Sequence, residues 1–179
     1  CFLFLSSKSK ISIEMGHDSI KYFKNFSKVN KVYLLLGSLP IPENNNLFNR
    51  SILINPNGDI ISIYDKIHMF DITLKNGESY KESDFYSPGS ELKITKVLGH
   101  LVGHTICYDL RYPKLYRTLA KKGSQIIVVP SAFTHTTGKA HWHSLIKARA
   151  IENGVFILAP NQWGVNNEKR VTYGHTLIA

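Results

Sequence analysis

One thiol stands where covalent chemistry is possible. The run Leu98–Ile106 ends abruptly in Cys107, charged residues follow at once in Tyr108-Asp109-Leu110-Arg111, and Pro113 can open a helix. A cysteine at the end of a buried strand, on a sharp turn into a helix, is rigidly held and exposed at one end. The helix N-terminus beside it favours negative charge. Taken alone, the segment Gly103–Pro113 fits a nucleophile and a small buried hydrophobe equally well. Hydrolysis of an amide through a thiol would need more than the thiol. It needs a base for the thiol proton, a positive or hydrogen-bonding site for the oxyanion, and an acid for the leaving amine. One carboxylate can be base first and acid later.

Other segments offer those groups. Tyr64-Asp65-Lys66-Ile67-His68-Met69-Phe70-Asp71 follows a hairpin-like stretch and puts a lysine at the close of a strand. Its fixed charge, with the backbone N–H of Tyr108, could stabilise a developing oxyanion; the ordinary alternative is a solvated surface lysine. Next come Tyr80-Lys81-Glu82-Ser83 and Ser87-Pro88-Gly89. Further on lie Pro130-Ser131-Ala132-Phe133, Gly138-Lys139-Ala140-His141-Trp142 and Lys147-Ala148-Arg149-Ala150-Ile151-Glu152-Asn153. In this order these segments resemble the nitrilase superfamily of carbon–nitrogen hydrolases. The resemblance is nearest to its Nit branch, amidases acting on deaminated glutathione and related ω-amides. It covers essentially the whole chain. The cysteine and lysine motifs are specific, and the apolar strands between them are not.

The resemblance implies a Glu–Lys–Cys triad and assigns roles. Cys107 matches the nucleophile, Lys66 the lysine that stabilises the tetrahedral intermediate, and Glu82 a second glutamate that supports the lysine; a solvated loop carboxylate is the alternative for Glu82. The general base of the family precedes the lysine by a long stretch. Cys1-Phe2-Leu3 resembles the residues that follow that base, and Tyr173-Gly174-His175-Thr176 resembles a strand that continues further. The expectation is therefore one carbon–nitrogen hydrolase domain over residues 1–179, truncated at both ends. Glu14 is the weaker candidate for the base, since no strand precedes it. Asp109 and Arg111 are expected to be buried braces of the nucleophile turn; Arg111 could instead grip a substrate carboxylate. Phe133, Thr136 and Trp142 are expected to line the pocket, with core packing the alternative. His68 is given a structural role, because a Cys–Lys–Glu site needs no imidazole. Arg149 and Glu152 are read as a structural pair.

The implied activity is cysteine-dependent hydrolysis of a small carboxylate-bearing amide, deaminated glutathione or an ω-amide. Ammonia leaves and a thioester forms on the way. N-carbamoyl amino-acid hydrolysis and an inactive relative serving as an interaction module are the alternatives. Nitrile hydrolysis is disfavoured, since true nitrilases carry Cys-Trp-Glu where this chain has Cys107-Tyr108-Asp109. Some relatives carry glutamate at position 143; His143 here leaves substrate preference open. Family members associate, so a homodimer or larger homo-oligomer is expected.

These residues need elements to position them. Ile20, Phe23, Phe26 and Val29 recur at three-residue spacing and suggest a helix over 18–29. Strands are expected at 32–38, 49–54, 60–64, 92–97, 101–106, 125–129, 155–159 and 171–178, with a turn at Asn55-Pro56-Asn57-Gly58-Asp59. Residues 74–90 read as a loop able to cover a pocket. Helices are expected at 113–122, stopped by Gly123, and at 138–153, stopped by Asn153-Gly154. Alternating strands and helices argue for an α/β fold, which the resemblance sharpens to an α-β-β-α sandwich.

Composition narrows the partners. The net charge is +9 and 43% of the 179 residues are hydrophobic. The lysines are scattered and no aromatics interleave with them, so neither nucleic acid nor a membrane surface is expected. No window approaches ~18 uninterrupted apolar residues. Two distant cysteines, Cys1 and Cys107, suggest no disulfide scaffold and fit the reducing cytoplasm. His141 and His143 are two residues apart, whereas helical zinc pairs use four-residue spacing, so no metal and no cofactor is expected.

Overall fold

The structure, a computed structural model, describes residues 12–73, 77, 79–166 and 170–179. Cys1-Phe2-Leu3, the stretch likened above to the residues following a catalytic base, lies outside them. The chain divides into two compact units, one ending at Glu91 and one running from Leu92 to Ala179.

In the first unit, helix α1 (Asp18–Asn30) starts at His17, whose Nδ1 accepts the N–H of Ser19, and ends at Lys31 with a left-handed φ of 54°. Three-residue spacing loses about 60° per step against 3.6 residues per turn. Ile20 and Phe23 therefore reach the core, while Phe26 and Val29 rotate outward to 41% and 68% exposure. Strands β1 (Leu34–Glu43), β2 (Asn46–Ile54) and β3 (Ile60–Asp65) form an antiparallel sheet in that order. Ile20 packs with Ile13, Leu36, Leu39, Ile41, Ile52 and Ile54. β1 runs past its expected end at Ser38, through Pro40 and Pro42. The Pro40 carbonyl accepts the N–H of Ile13 at 2.8 Å, so its backbone faces away from β2 and no ladder donor is lost.

The turn between β2 and β3 is tied to α1. Asn55 Oδ1 accepts the N–H groups of Asn57 and Asp59, both at 2.9 Å. Ser27 Oγ, on α1, lies 2.8 Å from the carbonyl of Asn55 and donates to it or to Val32. Gly58 has φ +84° and sits so close that an added Cβ would stand 2.8 Å from the Lys24 carbonyl.

The stretch expected as a loop over 74–90 is partly built. Strands β4 (Asp71–Thr73) and β5 (Ser79–Lys81) pair as a small hairpin, and a 3₁₀ turn (Glu82–Asp84) follows. The rings of Phe70 and Tyr80 lie 5.2 Å apart across its base. A polar sequence read as loop thus carries structure, because Glu82 is drawn inward.

The second unit is a five-stranded sheet with two helices. β6 (Ile94–Val97), β7 (His100–His104), β8 (Ile126–Val128), β9 (Phe156–Ala159) and a short strand at Leu177–Ile178 make the sheet, in chain order at its one edge and the last strand at the other. β7, β8 and β9 are parallel, and the outer strands are antiparallel. Helix α2 (Pro113–Lys121) joins β7 to β8, opening on Pro113 and burying Leu115, Tyr116 and Leu119. Helix α3 (His135–Asn153) joins β8 to β9. It starts three residues before the expected Gly138 because Thr134 caps it, accepting the N–H of Thr137.

The strand expected over 171–178 is two. β11 (Arg170–Tyr173) pairs with β10 (Trp163–Asn166), and β12 (Leu177–Ile178) pairs with β9. The break falls at Gly174 and His175, both left-handed at φ 72° and 62°. β10 was not anticipated. The fold is α/β, and each unit holds helices and a sheet, the ingredients of the expected sandwich. Among the described residues no helix is long and apolar enough to cross a membrane.

Gly58→Ala adds a Cβ to a left-handed residue facing a fixed carbonyl. It should lower the urea midpoint by an amount equivalent to about 1–3 kcal/mol, read from equilibrium unfolding at unchanged slope.

Candidate active site

Lys66 is buried to 1% exposure. Placing an ammonium there costs several kcal/mol unless it is paired. Glu82 meets that need: its Oε2 accepts Lys66 Nζ at 2.5 Å and the N–H of Phe70 at 2.7 Å, and its Oε1 accepts Asn49 Nδ2 at 2.8 Å. The lysine main chain is held as firmly. Its N–H donates to the Asn49 carbonyl at 2.9 Å, and its carbonyl accepts the N–H of Gly89 at 2.8 Å. Only glycine fits there, since a Cβ at Gly89 would lie 2.3 Å from the Asp65 carbonyl. This is the work of Ser87-Pro88-Gly89 in the sequence. Burial excludes the solvated alternatives for both Lys66 and Glu82. Beside them, burial and the Glu82 charge push the Tyr86 phenol up to about 12, so it stays protonated.

In the other unit, Cys107 opens a 3₁₀ turn (Cys107–Arg111) after β7 and is 7% exposed. Its φ of 49° is left-handed, a conformation uncommon outside glycine and asparagine. Several bonds hold it there. The Cys107 N–H donates to the Pro130 carbonyl at 3.1 Å, and Asp109 Oδ2 accepts the N–H of Ile106 at 2.9 Å. Thr105 Oγ1 donates to the Val128 carbonyl at 2.8 Å and accepts from Tyr116 OH at 2.9 Å. Complete burial pushes that Tyr116 phenol upward. Arg149 reaches from α3 to the Leu110 carbonyl at 3.0 Å, lies over the Tyr116 ring, and pairs with Glu152 at 2.9 Å.

Asp109 is thus a buried brace, as expected, but Arg111 is not. It is half-buried, and Arg149 fills the bracing role. The Arg111 guanidinium lies 5.8 Å from the Tyr108 ring and 5.6 Å from the Phe133 ring, with Nη2 3.2 Å from His141 Nδ1. It carries its charge on an aromatic wall with donors to spare, which suits the alternative role of binding an anion. Phe133 is 4% exposed and packs on Trp142 at 4.9 Å. Trp142 is wholly buried, and its Nε1 donates to the His175 carbonyl at 2.7 Å. Thr136 is exposed in the first turn of α3, and Tyr108 is half-buried. His143 meets the rings of Tyr173 and His175 edge-on. Glu14 is exposed, on an open depression that Glu43 also lines.

Sequence reading missed Asn49, which holds both Lys66 and Glu82. The available signal was Asn49-Arg50-Ser51, three polar residues inside a strand buried throughout from Asn49 to Ile54. It also gave no role to His104, which is 2% exposed with Nε2 3.1 Å from Thr95 Oγ1. Burial, with the Lys93 charge nearby, pulls this imidazole down to about 4.

Comparison with known proteins is consistent along the chain. The family model described as carbon-nitrogen hydrolase matches residues 8–179. A deaminated glutathione amidase from Synechocystis is 39% identical over 164 residues, covering 88% of this chain and 60% of that protein. One from Yersinia enterocolitica is 43% identical over 150 residues, covering 82% and 52%. The crystal structure of the C. elegans NitFhit protein superposes with a TM-score of 0.85 at 32% identity, covering 92% of this chain and 41% of that one. The chain spans between half and three-fifths of the length of these two amidases.

His104 makes stability pH-dependent. Its folded value lies below the ordinary 6.5, so the unfolded chain binds the extra proton as pH falls. The stability is present in full above about 6.5 and is lost towards pH 4, by on the order of 3 kcal/mol. Urea midpoints should fall across that window, and His104→Gln should flatten the fall.

Proposed function

The chain belongs to the carbon–nitrogen hydrolase family, and from that premise we propose that the whole protein is a cysteine-dependent amidase acting on a small carboxylate-bearing amide. One observation carries the reading: a lysine ammonium buried against a carboxylate, at the position where the family has its lysine. Apolar residues of similar volume would serve folding as well or better, so retention of the pair favours chemistry.

In this reading Cys107 Sγ attacks the amide carbonyl carbon. The Lys66 charge stabilises the oxyanion, with the Tyr108 N–H as a second donor. The C–N bond breaks, the nitrogen takes a proton, and ammonia leaves behind a thioester. Water then attacks the thioester, releasing the carboxylic acid and regenerating the thiol. In each half one carboxylate is base first and acid later: it takes the thiol proton and gives it to the leaving nitrogen, then takes a proton from the attacking water and returns it to the thiolate. Glu82, bonded to Lys66, Phe70 and Asn49, keeps the lysine charged and aimed, and so is a holder of the lysine rather than the base. Arg111 binds the substrate carboxylate from the wall formed by Phe133 and Tyr108; the wholly buried Trp142 packs behind Phe133 as core, the alternative weighed for it.

Deaminated glutathione or a related ω-amide is the favoured substrate, because curated relatives at 39% and 43% identity carry that activity in their names. A lone internal thiol, free at Cys107, fits a reducing compartment, so the cytoplasm is the proposed setting. A homo-oligomer is the proposed state, by family resemblance.

The test is ammonia release from deaminated glutathione by the full-length protein. Cys107→Ser should lower kcat by about 10³-fold or more with unchanged circular dichroism. Retention of activity in that variant overturns the mechanism, and silence of the folded wild type on this and on carbamoyl substrates overturns the activity. Arg111→Gln should raise KM for the carboxylate-bearing amide about 10- to 100-fold, while leaving KM for an uncharged aliphatic amide nearly unchanged.

A further inference from the structure

Asn49 and Arg50 stand side by side on β2, opposite the end of β3. Successive residues of a strand point to opposite faces. Arg50 is paired in register with Asp65 and bonds it bidentately, Nε to Oδ1 at 2.6 Å and Nη2 to Oδ2 at 2.9 Å. The same Nη2 reaches Glu43 Oε2 at 2.7 Å, and the arginine is 4% exposed. The hydrogen bonds it donates to Asp65 hold its guanidinium firmly charged. On the other face lie Asn49, the residue before Arg50 on β2, and Lys66, the residue just past the end of β3. The Lys66 N–H continues the ladder onto the Asn49 carbonyl, and the Asn49 amide reaches Glu82 Oε1.

We propose that Asn49 is the positioning residue of the lysine: its carbonyl fixes where the Lys66 main chain leaves the sheet, and its amide fixes which Glu82 oxygen meets Nζ. The Arg50–Asp65 pair locks the strand register from the opposite face, so that neither contact can slip by a residue. Glu82 has rotational freedom about its last bond. Without a donor on Oε1, the carboxylate keeps the Phe70 N–H on Oε2 but loses the bond that fixes its plane, and Lys66 Nζ loses a fixed partner. The inference rests on the amidase reading for its kinetic arm only.

Two variants test it in the full-length protein. Asn49→Leu keeps the shape and removes the donor. Asn49→Asp keeps the shape and sets a carboxylate against Glu82. Two readouts are made: kcat per active site, counted by a thiol-directed covalent titrant, and the rate at which acetic anhydride labels Lys66, followed by peptide mass spectrometry. Both variants should lose about 10- to 100-fold in kcat per titrated site, with KM nearly unchanged, the scale at which groups that hold a reactive residue act. Lys66 should be labelled faster in both. In Asn49→Asp the ratio to wild type should recover as pH falls from about 7 to about 5, because one proton shared by two facing carboxyls restores the bond. A purely structural role would lower the denaturant midpoint and leave kcat per site, the pH ratio and the labelling rate alone, and that result would overturn the proposal. If the wild type is silent on amides yet both variants still unmask Lys66, the positioning stands and the amidase reading fails.

Discussion

An ammonium group sealed from water has to be matched in charge and in hydrogen bonds, and the unit that ends at Glu91 is shaped around that requirement at Lys66. Glu82 can reach inward only because the polypeptide after β3 turns back as the β4–β5 hairpin and then tightens into a 3₁₀ turn. The Phe70 N–H is presented to the carboxylate by the same fold-back. Ser87-Pro88-Gly89 then crosses so near the strand end that a side chain at Gly89 would collide with Asp65. β2 surrenders apolar positions to Asn49 and Arg50. Each of these departures from a plain sandwich of apolar strands is a cost borne for one pair of charges.

The turn at Cys107 is stabilised differently. Among the described residues no ion pair touches the cysteine. The turn is held by neutral and half-charged bonds from Pro130, Asp109, Thr105 and Tyr116, with Arg149 tying the end of the turn to α3. Parallel strands β7 and β8 end together beneath it, so the Thr105 and Cys107 amides find carbonyls at Val128 and Pro130. The result is a thiol whose backbone is fixed from several directions at once.

Much of this was legible in the residues. Gly123 and Gly154 ended helices where helix-stop signals place them, and Asn55–Asp59 made its turn, because such signals act within a few residues of themselves. What depends on distant partners was not legible. Leu74–Ser90 looked like loop because the partner that draws Glu82 inward is sixteen residues back. The strand at 171–178 reads as continuous until Gly174 and His175 turn left-handed and hand its halves to different partners, β10 and β9. Asn49 carries no motif. Arg111 and Arg149 are alike in type, and only packing decides which braces the turn and which stays half-open.

The left-handed backbone at Cys107 narrows what evolution can do with this scaffold. Threonine, like serine and cysteine, can serve hydrolases as a nucleophile. A β-branched side chain is a steric outlier at φ 49°. An unbranched serine can stand there, and glycine or asparagine suits the conformation, but a threonine would first require the turn itself to be rebuilt.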